Sequence, residues 1–113
     1  MQGFKKGARI LRAADFEAVK GRGISARSGP IAVAALPGRP RRLGIAISRS
    51  VGNAVERNRI RRVVREFFRL NQESFPIADC VVIPGHGSAQ LGNNKIRERL
   101  GDALDALIKK IAV

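Results

Sequence analysis

The sequence predicts an α+β domain, a small sheet covered by helices on one face in a two-layer sandwich. Three observations predict it. Short apolar runs bounded by Gly and Pro read as strands at 31–36, 43–48 and 80–83. Two longer segments, 54–71 and 93–111, repeat apolar residues at helical spacing. A chain of 113 residues that is 44% apolar suits one domain with one core and is too short for two.

Along the chain, residues 1–12 are basic and irregular and read as an extended arm preceding a single domain over 1–113. Asp15 is placed to cap a helix of about two turns, Phe16 to Gly21, with Phe16 and Val19 on one side and Gly21 and Gly23 closing it. Ile24–Ser28 reads as an additional strand. Ile31-Ala-Val-Ala-Ala-Leu36 is a buried strand, Pro37 to Arg42 a turn with a basic tip, and Leu43-Gly-Ile-Ala-Ile-Ser48 the partner strand of a hairpin. Asn53, with Glu56 three residues on, opens a helix from Ala54 to about Asn71 through a capping box. Pro76 and Asp79 lie in its exit loop, and Asp79 is placed to neutralise an arginine or cap a strand end. Cys80-Val-Val-Ile83 is the next strand and Pro84 to Ser88 a loop. Asn93 or Asn94 caps the last helix, whose Ile96, Leu100, Ala103, Leu104, Leu107, Ile108 and Ile111 form an apolar stripe. The order is α-β-β-α-β-α with the extra strand after the first helix. The general rule makes the strand–helix–strand crossover right-handed.

The formal net charge is +13, from 22 Lys+Arg against 9 Asp+Glu. Residues 1–48 hold 10 basic and 2 acidic side chains, residues 49–69 hold 7 Arg and 2 Glu, and residues 70–113 hold 5 of each sign. The excess lies in the first 69 residues, which points to a surface for a polyanion. One Cys excludes an internal disulfide, and one Cys with one His excludes a structural zinc site. No apolar run reaches the ~20 residues that cross a bilayer. The first residues lack the apolar core of a signal peptide, so a cytoplasmic location is expected.

The helix 54–71 concentrates the charge. At 100° per residue, Ile60, Val63, Val64, Phe67, Phe68 and Leu70 form one apolar stripe. Asn58, Arg61, Arg62, Arg65 and Arg69 lie opposite, with Arg57 and Arg59 at the flanks. Arg57/Arg61, Arg61/Arg65 and Arg65/Arg69 are like-charged pairs at i, i+4, which destabilise an isolated helix. Within the helix only Arg62 has an acidic residue at i+4, Glu66. A solvated face would mix signs; an all-arginine row suits bidentate contacts to phosphate. Ser48, Arg49, Ser50, Gly52 and Asn53 add hydroxyls and backbone amides at the helix N-terminus, where an anion is favoured.

From Val51 to Glu66, through Arg57-Asn58-Arg59 and then Arg62, Arg65 and Glu66, the sequence resembles the protein subunit of bacterial ribonuclease P. Leu43-Gly44-Ile45 before Ser48-Arg49, Asp79 before Val81-Val82-Ile83, and Phe16 with Val19 extend the resemblance to about residues 9–110. It implies an RNA-binding subunit that assists a catalytic RNA in removing the 5′ leader of precursor tRNA. The chemistry would lie on the RNA with Mg²⁺, with no catalytic residue and no tightly held cofactor on the protein. It implies a left-handed crossover in place of the general right-handed one. It places Arg57, Asn58, Arg59, Arg62 and Arg65, supported by Ser48, Arg49 and Asn53, against the ribonuclease P RNA, and the charged row adds Arg61 and Arg69 to that surface. It places Phe16 along the leader, and the positive charge of the N-terminal third adds Lys20, Arg9 and Arg12 as leader contacts. Lys20 and Ala34 stand where further cleft aromatics are expected, and the chain has no Tyr or Trp. Leader contact here should therefore rely less on stacking and more on charge.

Other residues carry less. His86 reads as a loop residue, Cys80 as a core residue, and Asp102 and Asp105 as a solvated helix face. No carboxylate cluster for two metals stands in the sequence, which agrees with an RNA-based active site. A ribosomal-type RNA-binding protein shares the composition but not the Arg57–Glu66 signature. A membrane-surface helix is disfavoured because the apolar stripe is needed to cover the sheet. No membrane or small-molecule partner is expected.

Overall fold

The structure is a computed structural model and describes residues 13–37 and 41–112; the arm 1–12, with Arg9 and Arg12, and the tip of the turn at 38–40 lie outside the described residues. The elements are α1 (Ala13–Arg22), β1 (Ile24–Ser28), β2 (Ile31–Pro37), β3 (Arg42–Ile45), α2 (Ala54–Leu70), β4 (Ala78–Pro84) and α3 (Asn93–Ala112). Short 3₁₀ turns at Arg49–Val51, Gln72–Ser74 and Ser88–Gln90 join them.

The four strands form one mixed sheet in the order β1-β2-β4-β3. β1 and β2 are an antiparallel hairpin, β2 runs antiparallel to β4, and β3 runs parallel to β4. The hairpin expected between 31–36 and 43–48 does not form, because β4 inserts between those strands. The reason lies in burial. Six of the seven β4 residues are buried, and a strand apolar on both faces belongs at the centre of a sheet. The strand expected over 43–48 keeps pairing only to Ile45, with Ala46 still donating to the Val82 carbonyl at 2.9 Å. It is short, begins with Arg42 and takes the edge.

Side-chain alternation divides the sheet into two faces. Ile31, Val33 and Ala35 of β2 and Ala78, Cys80 and Val82 of β4 point to the main core. There they meet Ile60, Val64 and Phe68 of α2 and Ile96, Leu100, Leu104 and Leu107 of α3. Phe75 plugs one end, its ring 4.9 Å from that of Phe68 at 79° and 6.1 Å from that of Phe67 at 66°. These edge-on contacts suit aromatic quadrupoles. Leu70, expected in the α2 stripe, is 59% exposed: α2 ends there, and the chain turns away at Asn71 before its side chain can reach the core.

The opposite face carries a smaller cluster, Val19, Ala34 and Val81, with Phe16, Leu36, Ala46 and Ile83 packed on it. The helices therefore do not all share one face: α2 and α3 form the main layer, and α1 crosses the other side. α1 starts at Ala13, so Asp15 falls in the first turn and does not cap it. Asp15 lies 3.7 Å from Arg42 Nη2 instead. Gly23 closes the helix with its N–H on the Val19 carbonyl at 2.8 Å. A Cβ there would fall 2.3 Å from the Val19 oxygen and 2.6 Å from the Ala35 oxygen, so only glycine fits between helix and strand.

Asp79 is 2% exposed and neutralises Arg42, which donates from Nε and Nη2 to its two carboxylate oxygens, each at 2.7 Å. This bidentate pair raises the Arg42 pKa above its ordinary value and pins β3 to β4 in register. Arg42 also reaches α1 through Asp15, so one guanidinium ties three elements.

Cys80 is buried in the core, and desolvation pushes its thiol up to about 12. The folded state therefore keeps a proton that the unfolded thiol loses near pH ~8.5. This contribution to stability is complete below that value and is lost as pH rises toward the folded pKa. Urea unfolding of the wild type and of Cys80→Ala between pH 8 and 10 should show their stability difference shifting against the wild type. The slope should approach about 1.4 kcal/mol per pH unit.

Candidate nucleic-acid interface

The start of α2 is built by local chemistry. Asn53 Oδ1 accepts the Glu56 N–H at 2.8 Å, and Glu56 Oε1 accepts the Asn53 N–H at 2.9 Å, completing the capping box. A Cβ on Gly52 would lie 2.7 Å from Glu56 Oε1 and 3.2 Å from the Ala89 methyl. A side chain there would push Glu56 off the cap or part α2 from the turn before α3. Ahead of the cap, Val51 is buried, anchoring the 3₁₀ turn. Ser48 and Ser50 share a hydroxyl hydrogen bond at 2.7 Å, and Ser48, Arg49 and Asn53 are exposed.

Burial of the α2 stripe turns the arginines outward. Arg62 and Arg65 are exposed, and neither makes an ion pair or hydrogen bond among the described residues. Arg57 Nε reaches back to the Asn53 carbonyl at 3.4 Å, and Arg61 donates to Asn58 Oδ1 at 3.0 Å. A shallow groove of about 470 Å³ is lined by Val55, Asn58, Arg61, Arg62 and Arg65. Val55, 77% exposed, gives it an apolar wall.

Two arginines of the row behave differently. Glu66 pairs with Arg69 at i+3 and not with Arg62 at i+4; this lowers the Glu66 pKa and raises that of Arg69, chiefly through their hydrogen bonds. Arg69 is thus partly neutralised, whereas Arg62 keeps its charge unpaired. Arg59 turns toward α3, donating from Nη1 to Asn93 Oδ1 at 2.7 Å and from Nη2 to the Ala89 carbonyl at 3.1 Å. It is a strut between two helices. This also corrects the expected cap of α3: Asn93 Oδ1 accepts from Arg59 and Asn94 Oδ1 from Arg97 at 2.7 Å. The first backbone bond of the helix runs from the Ile96 N–H to the Gly92 carbonyl at 3.0 Å.

The structure thus gathers Arg57, Asn58, Arg61, Arg62 and Arg65 on one surface beside Ser48, Arg49 and Asn53. Phe16 and Lys20 sit across the sheet on α1: Phe16 is half-buried on the Ala34–Val81 cluster, and Lys20 is exposed. Sequence reasoning missed Arg97, which joins Arg59, Arg62 and Asn93 around a groove of about 420 Å³ between α2 and α3. The balanced charge of the last third hid it. It also missed Arg27 of β1, although the alternation in Ile24–Ser28 sets Arg27 and Ser25 on one face. His86 lies exposed in its loop. Among the described residues no three His, Cys, Asp or Glu side chains gather where a metal ion could be held, and no helix is long and apolar enough to cross a membrane.

Fold and surface together define a class, that of small basic α+β proteins with a guanidinium face suited to phosphate. A family model described as Ribonuclease P matches residues 4–110. The ribonuclease P protein component of Desulforapulum autotrophicum is 36% identical over 109 residues, covering 94% of this chain and 93% of that protein. That of Geotalea uraniireducens is 43% identical over 68 residues, 60% of each chain. Among solved structures, the RNase P protein of Staphylococcus aureus superposes with a TM-score of 0.83 at 30% identity, covering 89% of this chain and 95% of that one. The Thermotoga maritima protein gives 0.74 at 31% identity, covering 88% and 94%. The chain belongs to the ribonuclease P protein family, the protein component of a ribonucleoprotein endoribonuclease of tRNA processing.

The two kinds of arginine separate in a stability measurement. Arg59→Ala should lower unfolding free energy by about 1.5–3 kcal/mol, because a charged donor leaves two acceptors. Arg62→Ala should stay within about 0.5 kcal/mol of wild type. Urea denaturation followed by circular dichroism reads both.

Proposed function

We propose that the protein is the RNA-binding subunit of a ribonuclease P holoenzyme, assisting a catalytic RNA in removing the 5′ leader of precursor tRNA in the cytoplasm. Family membership supports the reaction class. One observation supports the mode of action: arginines gathered on one face of α2 whose Arg62 and Arg65 are exposed and without partners among the described residues. The helix fixes the spacing of these side chains, so binding phosphate orders the arginine rotamers but not the backbone that carries them. In this reading Arg57, Asn58, Arg61, Arg62 and Arg65 contact the RNA subunit, with Ser48, Arg49 and Asn53 at the helix start. Arg59 holds α2 against α3 so that the row keeps its spacing, and Arg69 contributes at the far end. The leader runs across the opposite sheet face, past Phe16 and Lys20, with Arg9 and Arg12 as further contacts.

Three of the protein's nine side-chain carboxylates are already committed to other partners, and among the described residues no three metal-ligating side chains gather in one place. Asp79 is committed to Arg42, Glu56 to the cap and Glu66 to Arg69, while Mg²⁺ wants several oxygen ligands in octahedral array. The reading therefore assigns the metal to the RNA. The protein supplies positive charge where two polyanions meet, which lowers the concentration of free cation needed to hold them together.

Reconstitution tests this. Adding the protein to its cognate ribonuclease P RNA at low Mg²⁺ should stimulate precursor cleavage. Arg62→Ala and Arg65→Ala should each flatten the dependence of log K on log[salt] for that RNA by about 0.7–0.9. Absence of stimulation, or an unchanged slope in both variants, would contradict the reading.

A further inference from the structure

Across the sheet from the main core, between α1 and the β1 edge, lies a groove of about 410 Å³. Strand register sets its floor. Arg27 of β1 stands opposite Ala32 of β2, which stands opposite Ile83 of β4. In the next row of that face Ser25 stands opposite Ala34, and Ala34 opposite Val81. The middle row of this face is thus methyl groups, and its outer row on β1 is a guanidinium and a hydroxyl. Val19 of α1 closes over Ala34 and Val81, leaving the Arg27–Ala32–Ile83 row open.

Three cations surround this floor. Lys20 enters from α1 and Arg27 from β1, both exposed. Lys110 enters from the last turn of α3, and its Nζ donates to the Ser25 carbonyl on the sheet edge at 2.7 Å. That bond holds the ammonium at the rim and uses one of its three donors. No aromatic ring lines the groove among the described residues, since Phe16 is spent docking α1.

We propose that Arg27 and Lys110, with Lys20, make this groove a phosphate-reading track, so that the protein grips a single-stranded leader by its backbone and not by its bases. The proposal rests on the leader reading above and specifies its chemistry. Base–aromatic stacking contributes about 1–3 kcal/mol per base where a ring is present; alanine methyls offer no such platform. What remains is charge on a channel roomy enough for any base, and recognition of that kind is indifferent to leader sequence and steeply dependent on salt. Arg27 and Lys110 also carry the track from α1 to the far edge of β1, beyond the residues the helix signature marks.

The test uses the reconstituted holoenzyme and equilibrium binding of precursor and mature tRNA. Three precursors are compared: unmodified, abasic at single leader positions, and neutral methylphosphonate at single leader phosphates. Abasic leaders should bind within about twofold of the unmodified one, and at least one methylphosphonate should weaken binding several-fold. Arg27→Gln and Lys110→Gln should each reduce precursor affinity several-fold, leave mature tRNA unchanged, and flatten the precursor salt slope by about 0.7 per contact. Arg27→Lys and Lys110→Arg should recover most of the loss. Abasic sites as damaging as neutral phosphates, or Gln variants that still favour precursor as strongly as wild type, would overturn the phosphate track alone. A wild-type holoenzyme that gains nothing from the leader would overturn the leader reading with it.

Discussion

Helix α2 is asked to hold arginines that repel one another. Arg57, Arg61, Arg65 and Arg69 follow at i, i+4 spacing, and each like-charged step costs a few tenths of a kcal/mol. Burial of Ile60, Val64 and Phe68, each worth roughly 1.5–3 kcal/mol, exceeds that repulsion several times over. The core therefore carries a helix whose outer face could not sustain itself. The same burial fixes rotation about the helix axis, so the direction in which the arginines point follows from the packing of the opposite side. The rest of the molecule depends on this exchange between a greasy stripe and a charged row.

The remaining elements can be read as what makes that helix stay. The capping box at Asn53 and Glu56 starts it, and the bare backbone of Gly52 makes room for that box. Arg59 binds it to the turn before α3, and Phe75 seals its end against Phe67 and Phe68. β4 supplies the buried centre of the sheet, and the Arg42–Asp79 pair keeps β3 beside it. With α2 and α3 committed to one face, α1 is the one helix on the other face among the described residues. Two basic surfaces result, one on each side of the sheet: guanidinium groups spaced along a helix, and scattered cations above an alanine floor. They suit different partners, a structured RNA on one side and an extended single strand on the other.

The local features were legible in the sequence because local chemistry sets them. The α2 stripe, its capping box and the strand at Ile24–Ser28 all follow from nearby residue types, whereas which arginine Asp79 meets, Arg42, 37 residues away, does not. The Arg57–Glu66 signature named the family because its spacing is unusual. Strand order was not legible: a run such as Ile31–Leu36 reveals that it is buried but not beside which strand, and the proximity of 43–48 in the chain favoured the wrong neighbour. Partners chosen by tertiary structure were equally hidden. Arg59 looks like its neighbours until Ala89 and Asn93 are brought beside it, and Glu66 could serve Arg62 or Arg69 on spacing alone. Lys110 lies 85 residues from the Ser25 carbonyl it holds, and no sequence pattern links them.

The central claim is that the outer face of α2 lies against the catalytic RNA; Asp105, exposed on α3 outside the arginine row, serves as the comparison position. Cys80 is the one cysteine in the chain, buried, with its thiol pushed up to about 12, so an introduced cysteine would carry a tethered iron chelate alone. Hydroxyl-radical cleavage of the RNA subunit from a probe at Asn58→Cys, compared with one at Asp105→Cys, reads the orientation directly. Strong, localised cuts from position 58 and none from position 105 are predicted; cuts from position 105 with none from position 58 would contradict the account.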